Sequence, residues 1–219
     1  MKKYLPVLIF LAILSGGIAM VYPILKGRMH LKIYQPTDIN PDLVDEQLRS
    51  IGMNHRIADF KLVDQNGDTI TNSTYEGKIY VADFFFTTCK SICPKMSRNM
   101  VTLSNELIDE PNIMFLSHSV MPEVDSVAVL REYADKYNVD DSRWHLVTGN
   151  KEQIYDLARK SYFAATNEGD GGVDDFIHTE NFILIDPHRR IRGFYDGTSQ
   201  EEMERLIEEL DALKLEYGF

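Results

Sequence analysis

Cys89 and Cys93 are the only cysteines in the 219-residue chain, and they stand four positions apart in the string FFFTTCKSICPKM, Phe84 to Met96. Two thiols cannot build the multi-bridge framework of a small secreted domain. They make one local disulfide, part of a metal site, or both in alternation. At i and i+4 around a helix start, their side chains lie about one turn apart and both sulfurs face one point in space. This suits a disulfide, whose Cα atoms want roughly 5.5 to 6 Å, or two thiolates on one metal ion. Unpaired backbone N–H groups at the helix N-terminus favour thiolate and lower at least one thiol pKa. Pro94 fits an early helical position, where a missing N–H is harmless. A bridge closed within a single turn restricts the unfolded chain too little to be a useful staple, which points the pair toward chemistry.

Two thiolates form a soft donor set, suited to Cu(I) or Zn(II) rather than to hard cations. Two ligands rarely complete a site, and histidine is the usual third. Six histidines compete. His178 stands just before the apolar run Asn181 to Asp186, where it would add one nitrogen to two sulfurs. His118 and His145 lie at strand ends and stay in contention, while His30 and His55 fall on the N-terminal side and His188 in a turn.

The elements that must position these residues are legible as alternating patterns. Phe60, Leu62 and Val63, then Asn66-Gly67, then Thr69 to Thr71 predict a β-hairpin. Ile79 to Phe86 is an apolar and aromatic run with one acid, Asp83, as expected of a strand buried on both faces. A helical pattern with Met96, Met100, Leu103 and Leu107 follows the cysteines, then a buried strand from Ile113 to Ser117. Helices are expected over Val124 to Tyr137 and Lys151 to Tyr162, with a short strand at Trp144 to Val147 between them. Asn167 to Asp175, glycine-rich, acidic and without periodicity, reads as a mobile loop. Asn181 to Asp186 and Arg190 to Tyr195 flank Pro187-His188 as a second hairpin, and Gln200 to Leu213 is an amphipathic helix. The fold class is therefore α/β, a central mixed sheet flanked by helices, with cysteines at a strand-to-helix junction in the thioredoxin-like manner. In that layout the start of the Asn181 strand lies beside the cysteine helix.

After Lys2 and Lys3, the run Tyr4 to Leu25 is apolar apart from Ser15 and uncharged until Lys26. About 22 residues suffice to cross a hydrocarbon core, and the stretch lacks a clean small-residue cleavage motif. Residues 1–26 are thus expected to be an uncleaved transmembrane signal anchor, with Lys2 and Lys3 on the cytoplasmic side. The chain would then be single-pass in the cell (inner) membrane, its soluble part facing the periplasm or an equivalent exterior. Residues 27–56, polar and broken by Pro36 and Pro41, read as a tether, and 57–219 as one domain. A net charge of -11 supplies no basic field for phosphates, so nucleic acid is not an expected partner.

From about Ala58 to Leu213 the chain resembles the Sco/SenC family of copper chaperones for cytochrome c oxidase. The resemblance rests on Cys89 to Pro94, on the phrase from Ser119-Val120 through Trp144 to Thr148-Gly149, and on DDFIHTENFILID around His178. It implies that Cys89, Cys93 and His178 bind one copper ion, as Cu(I) or Cu(II). The domain would deliver it, or supply electrons, to the dinuclear copper centre of the oxidase's copper-bearing subunit, or serve another copper or thiol protein. One departure stands out: Met121 occupies the place where the family commonly has an aspartate after the Ser-Val pair. A thioether there is a soft donor or a packing group.

The alternative is a thiol-disulfide oxidoreductase in which Cys89 and Cys93 cycle as a redox-active pair and reduce partner cysteines before metallation. Redox thioredoxins space their cysteines one residue closer, which weighs against this as the sole role. A peroxiredoxin, whose reactive cysteine also opens a helix, is a third reading.

Overall fold

The computed structural model describes residues 4, 10, 14–17, 30–46, 48–50, 52–165, 177 and 179–219. They fall into a larger unit, Lys32–Ile207, and a smaller one made of Met1–Leu31 and Glu208–Phe219.

The larger unit is built on a mixed sheet with helices on its faces. β1 (Lys61–Asp64) and β2 (Thr69–Thr71) form the expected antiparallel hairpin. Gly67 takes φ +85° in its turn, and the Asp64 carboxylate closes that turn by accepting the N–H groups of Asn66 and Asp68, each at 2.9 Å. β3 (Ile79–Phe85) is buried at every position, as its apolar pattern, broken only by Asp83, implies. β4 (Ile113–Ser119) pairs parallel with β3, and β5 (Trp144–Thr148) parallel with β4. β6 (Asn181–Ile185) runs antiparallel to β3, and β7 (Ile191–Asp196) antiparallel to β6. The strand order is β2-β1-β5-β4-β3-β6-β7.

Alternation along β3 divides its side chains between two faces. Phe85 meets Tyr133 of α2 (Val127–Tyr137) at 5.2 Å between ring centroids, and Tyr133 takes a 2.7 Å hydrogen bond with Ser97 of α1 (Cys93–Glu106). Tyr80, Ala82 and Phe84 join the core cluster on the opposite face, with Ile154, Tyr155 and Leu157. α2 starts three residues later than the apolar pattern suggested, because Ser126 caps it by accepting the Val129 N–H, and Asn138 at φ 52° ends it.

The helix expected from Lys151 to Tyr162 is α-helical only as α3 (Lys151–Asp156) and continues as a π turn, Leu157–Ser161. Ser161 is claimed by the segment before β1: its hydroxyl accepts the Ala58 N–H at 2.7 Å, and its carbonyl lies 2.8 Å from the His55 ring.

The segment 32–56, expected to be a tether, lies against the sheet edge. Tyr34 donates its N–H to the Ile191 carbonyl at 2.9 Å and packs edge-on against Phe194, while Val44 is fully buried. Its apolar residues have a core to enter, and it forms 3-10 turns at Pro36–Asp38 and Pro41–Leu43.

α4 (Gln200–Tyr217) closes the chain. Within the smaller unit, His30 Nδ1 lies 3.7 Å from the Glu216 carboxylate. Most of the expected membrane anchor, and all of the expected loop at 167–175, lie outside the described residues. Among the described residues no helix is long and apolar enough to cross a membrane.

Candidate thiol and metal site

β3 ends at Phe85, and the chain turns through residues 86–92 before α1 opens at Cys93 and Pro94. The N-cap residue, Ile92, has no side-chain acceptor to offer the first turn. The Cys89 sulfur takes that role, accepting the Cys93 N–H at 3.4 Å. Its other polar neighbour is the Ser91 hydroxyl at 3.7 Å. Both cysteines are free thiols, Cys89 half-buried and Cys93 2% exposed.

This geometry splits the two thiols. Partial burial works against a Cys89 thiolate, yet hydrogen bonds from the Cys93 thiol, the Cys93 N–H and Ser91 outweigh it and bring its pKa down to about 7. Burial, reinforced by the hydrogen bond to Cys89, pushes Cys93 up to about 12. One sulfur is therefore a ready nucleophile or ligand at neutral pH, and the other holds its proton until a metal ion or base removes it.

Two buried acids stand behind the pair. Asp83 accepts the Ser117 hydroxyl at 2.5 Å, and Ser117 accepts the Trp144 indole N–H at 2.9 Å. Burial lifts the Asp83 pKa to about 7 against the opposing effect of the Ser117 bond. Asp125, with no exposed surface, accepts the Thr87 hydroxyl at 2.5 Å, the Thr87 N–H at 3.2 Å and the Ser119 hydroxyl at 2.6 Å. The sequence marked Asp83 only as the lone acid in an apolar run and did not single out Asp125. The available signal for Asp125 was an acid directly before a helix-capping serine, a pattern that usually belongs to the cap itself.

His178, the candidate third ligand, lies outside the described residues. Its neighbours are described: Ile177 is 3% exposed within the core cluster, and Thr179 is buried and accepts the Asn181 N–H at 3.2 Å. Ile183 pairs with Ala82, so the N-terminal end of β6 lies beside the C-terminal end of β3, from which the cysteine loop departs. Among the described residues no group of three or more His, Cys, Asp or Glu side chains is arranged to hold a metal ion. The cysteines supply two donors whose softness fits Cu(I).

The other histidines are engaged elsewhere. His118 is wholly buried, stacked on Phe84 at 4.7 Å, and burial lowers its pKa to about 3. His145 Nδ1 is 2.8 Å from the Tyr75 hydroxyl, and His55 packs against Phe163. The His188 N–H is held by Asp186 in the β6–β7 turn. Met121 is half-buried and packs against the core, with its N–H donated to the Ser119 hydroxyl and its carbonyl accepting the Asp125 N–H.

A family model for SCO1/SenC matches residues 49–214. The SCO1 protein homolog of Bacillus subtilis is 29% identical over 160 residues, 72% of this chain and 82% of its own length. Among solved structures, a SCO1/SenC family lipoprotein from Bacillus anthracis superposes with TM-score 0.65 at 30% identity, over 74% of this chain and 96% of that one. BsSco, described as a member of the Sco family of cytochrome c oxidase assembly proteins with a disulfide switch, gives TM-score 0.63 at 28% identity, over 74% and 94%. Yeast Sco1, crystallised with copper bound, gives 0.56 over 72% and 90%, and its 24% identity makes that likeness one of fold. The mixed sheet and the helices on its faces are thus shared along most of the domain, and the chain belongs to the SCO1/SenC family.

Proposed function

We propose that the chain holds one copper ion through the sulfurs of Cys89 and Cys93 and the imidazole of His178. It then passes that ion by ligand exchange to the copper-bearing subunit of cytochrome c oxidase. The observation that carries this reading is the pair of reduced thiols of unequal acidity at the first turn of α1, at the sheet end where β6 begins. Two soft sulfurs and one nitrogen make a three-coordinate set suited to Cu(I). Residues 1–26 would anchor the chain in the membrane and hold the domain on the exterior side, which a protease-protection assay on intact cells tests.

The deciding experiment is an anaerobic Cu(I) titration of the reduced protein against a competing chelator, beside His178→Ala and Cys89→Ser. One ion per chain is expected, with affinity falling on the order of 100-fold in His178→Ala while the fold is kept. Unchanged affinity in that variant removes His178 from the site.

The thiol acidities favour a second reading. The Cys89 thiolate attacks a partner's disulfide, forming a mixed disulfide and releasing one partner thiol. Cys93 then displaces the second partner sulfur, leaving a Cys89–Cys93 disulfide that an external dithiol must reduce. Such exchange would survive loss of His178, and no turnover with any disulfide substrate would exclude it.

A further inference from the structure

We infer that Asp125 is a positioning residue for Cys89: its buried carboxylate clamps the cysteine loop to the end of β4 through Thr87. The inference rests on the reading of Cys89 as the reactive thiol of the site.

Two ties hold the exits of β3 and β4 together. The first continues the sheet, with the Val120 N–H donating to the Phe85 carbonyl at 2.9 Å. The second is side-chain built. Thr87 gives both of its donors, hydroxyl and N–H, to Asp125, and Ser119 gives its hydroxyl to the same carboxylate. The hydroxyl contacts, 2.5 and 2.6 Å, have the lengths of charge-assisted bonds. Among the described residues these three donors satisfy a carboxyl group with no exposed surface. Beyond Thr87, the loop's bonds among the described residues are its own or those of α1: Cys89 N–H to the Phe86 carbonyl at 3.3 Å, and Cys93 N–H to Cys89 sulfur at 3.4 Å. Among the described residues, Thr87 is therefore the last point before Cys89 at which a hydrogen bond from outside the loop and α1 holds the chain. The clamp is itself braced, because the 119–125 loop closes on it: Met121 donates to the Ser119 hydroxyl at 3.1 Å and accepts the Asp125 N–H at 2.8 Å.

A loop released at Thr87 is free to carry Cys89 away from the helix start, and the Cys93 N–H contact to its sulfur is the first to be lost. A packing residue would change stability only. A positioning residue changes the thiol.

The test uses the reduced, metal-free, full-length protein and its variants Thr87→Val, Thr87→Ser, Asp125→Asn and Asp125→Ala. Iodoacetamide alkylation of Cys89 is followed by peptide mass spectrometry as a function of pH, beside thermal unfolding and Cu(I) affinity. Thr87→Val and Asp125→Asn are expected to shift the Cys89 profile to higher pH and slow its alkylation at neutral pH several-fold. Thr87→Ser, which keeps the hydroxyl, is expected to follow the wild type. If folded Thr87→Val alkylates with the wild-type profile, or Thr87→Ser is shifted as far as Thr87→Val, the inference is overturned. Thr87→Val decides the matter should the Asp125 variants fail to fold. Absence of Cu(I) binding by the wild type would overturn the copper reading while leaving the alkylation profiles to judge the clamp.

Discussion

Replacing Asp83 by Asn should stabilise the protein at alkaline pH and leave the acid side little changed. The carboxyl lies 4% exposed in β3, accepts the Ser117 hydroxyl, and has its pKa raised by burial from 3.8 to about 7. In the unfolded chain the group ionises at its ordinary pKa, whereas the folded protein resists ionisation until about pH 7. A raised folded pKa means that its stabilising contribution is complete below the unfolded value and is lost as pH rises through the folded one. Each pKa unit corresponds to about 1.36 kcal/mol, so between roughly pH 5 and pH 8 this single group removes about 2.5 kcal/mol from the wild type. That is a large share of the roughly 5–15 kcal/mol by which domains are stable.

Asparagine keeps the shape and an oxygen to accept Ser117, and it does not titrate. Urea unfolding of reduced, metal-free wild type and Asp83→Asn at several pH values isolates the effect, because every other titrating group cancels in the difference. Trp144, the only tryptophan, donates to Ser117 within the same network and serves as the fluorescence reporter. The gap between the proteins should widen in favour of the variant by about 2.5 kcal/mol from pH 5 to pH 8. A gap that stays constant within about 0.5 kcal/mol would show that Asp83 ionises freely in the folded state, and the argument from burial would fail.

Three further outcomes follow from the same geometry. Alkylation of the reduced protein should show Cys89 reacting with a midpoint near pH 7 and Cys93 protected until far more alkaline conditions, and peptide mapping that found the reverse order would contradict the assignment. Loading a metal ion at pH 7 should release about 1.5 protons, one from Cys93 and roughly half of one from Cys89, measurable in weakly buffered solution with a pH indicator. His118→Phe should stabilise the protein by about 1–3 kcal/mol at neutral pH, since His118 Nε2 is buried with no hydrogen-bond partner among the described residues. That advantage should grow as pH falls from 6.5 toward 3, where the unfolded imidazole binds a proton that the folded one refuses; calorimetry at two pH values would expose a wrong sign.

The parts of this architecture that read well from sequence are those in which one physical rule acts alone. β3 is buried on both faces and shows an apolar run broken only by Asp83, and the β1–β2 hairpin is announced by Asn66-Gly67, whose glycine adopts the positive φ the turn needs. Where distant segments meet an element, local pattern alone does not describe it. The apolar spacing of Lys151 to Tyr162 is helical throughout, but Ser161 answers to His55 and Ala58, about a hundred residues earlier, and the last turn widens to a π turn. Residues 32–56 likewise carry the prolines of a linker, yet Tyr34 and Val44 find a surface to bury against. Cys89 and Cys93 were legible as a pair because their spacing alone sets their relation. Asp83 and Asp125 were not, because an acid becomes part of the site only through the burial and the hydroxyl partners that the fold brings to it.

The spacing of the cysteines also explains why the two thiols differ. With three residues between them, Cys89 falls before the N-cap and Cys93 at the first helical residue, so the earlier sulfur receives the N–H that the later residue leaves unpaired. Cys93 enters the core as α1 packs and loses solvent. The acidic, half-exposed sulfur is thus the one that would meet a partner first. The buried one responds afterwards, and only once something has taken its proton. An incoming soft cation and an incoming disulfide both satisfy that order, since each engages the Cys89 thiolate first and draws in Cys93 second. On the proposed reading, copper handling and thiol exchange would be two uses of one asymmetry, separated by whether a nitrogen ligand from the β6 side completes the site.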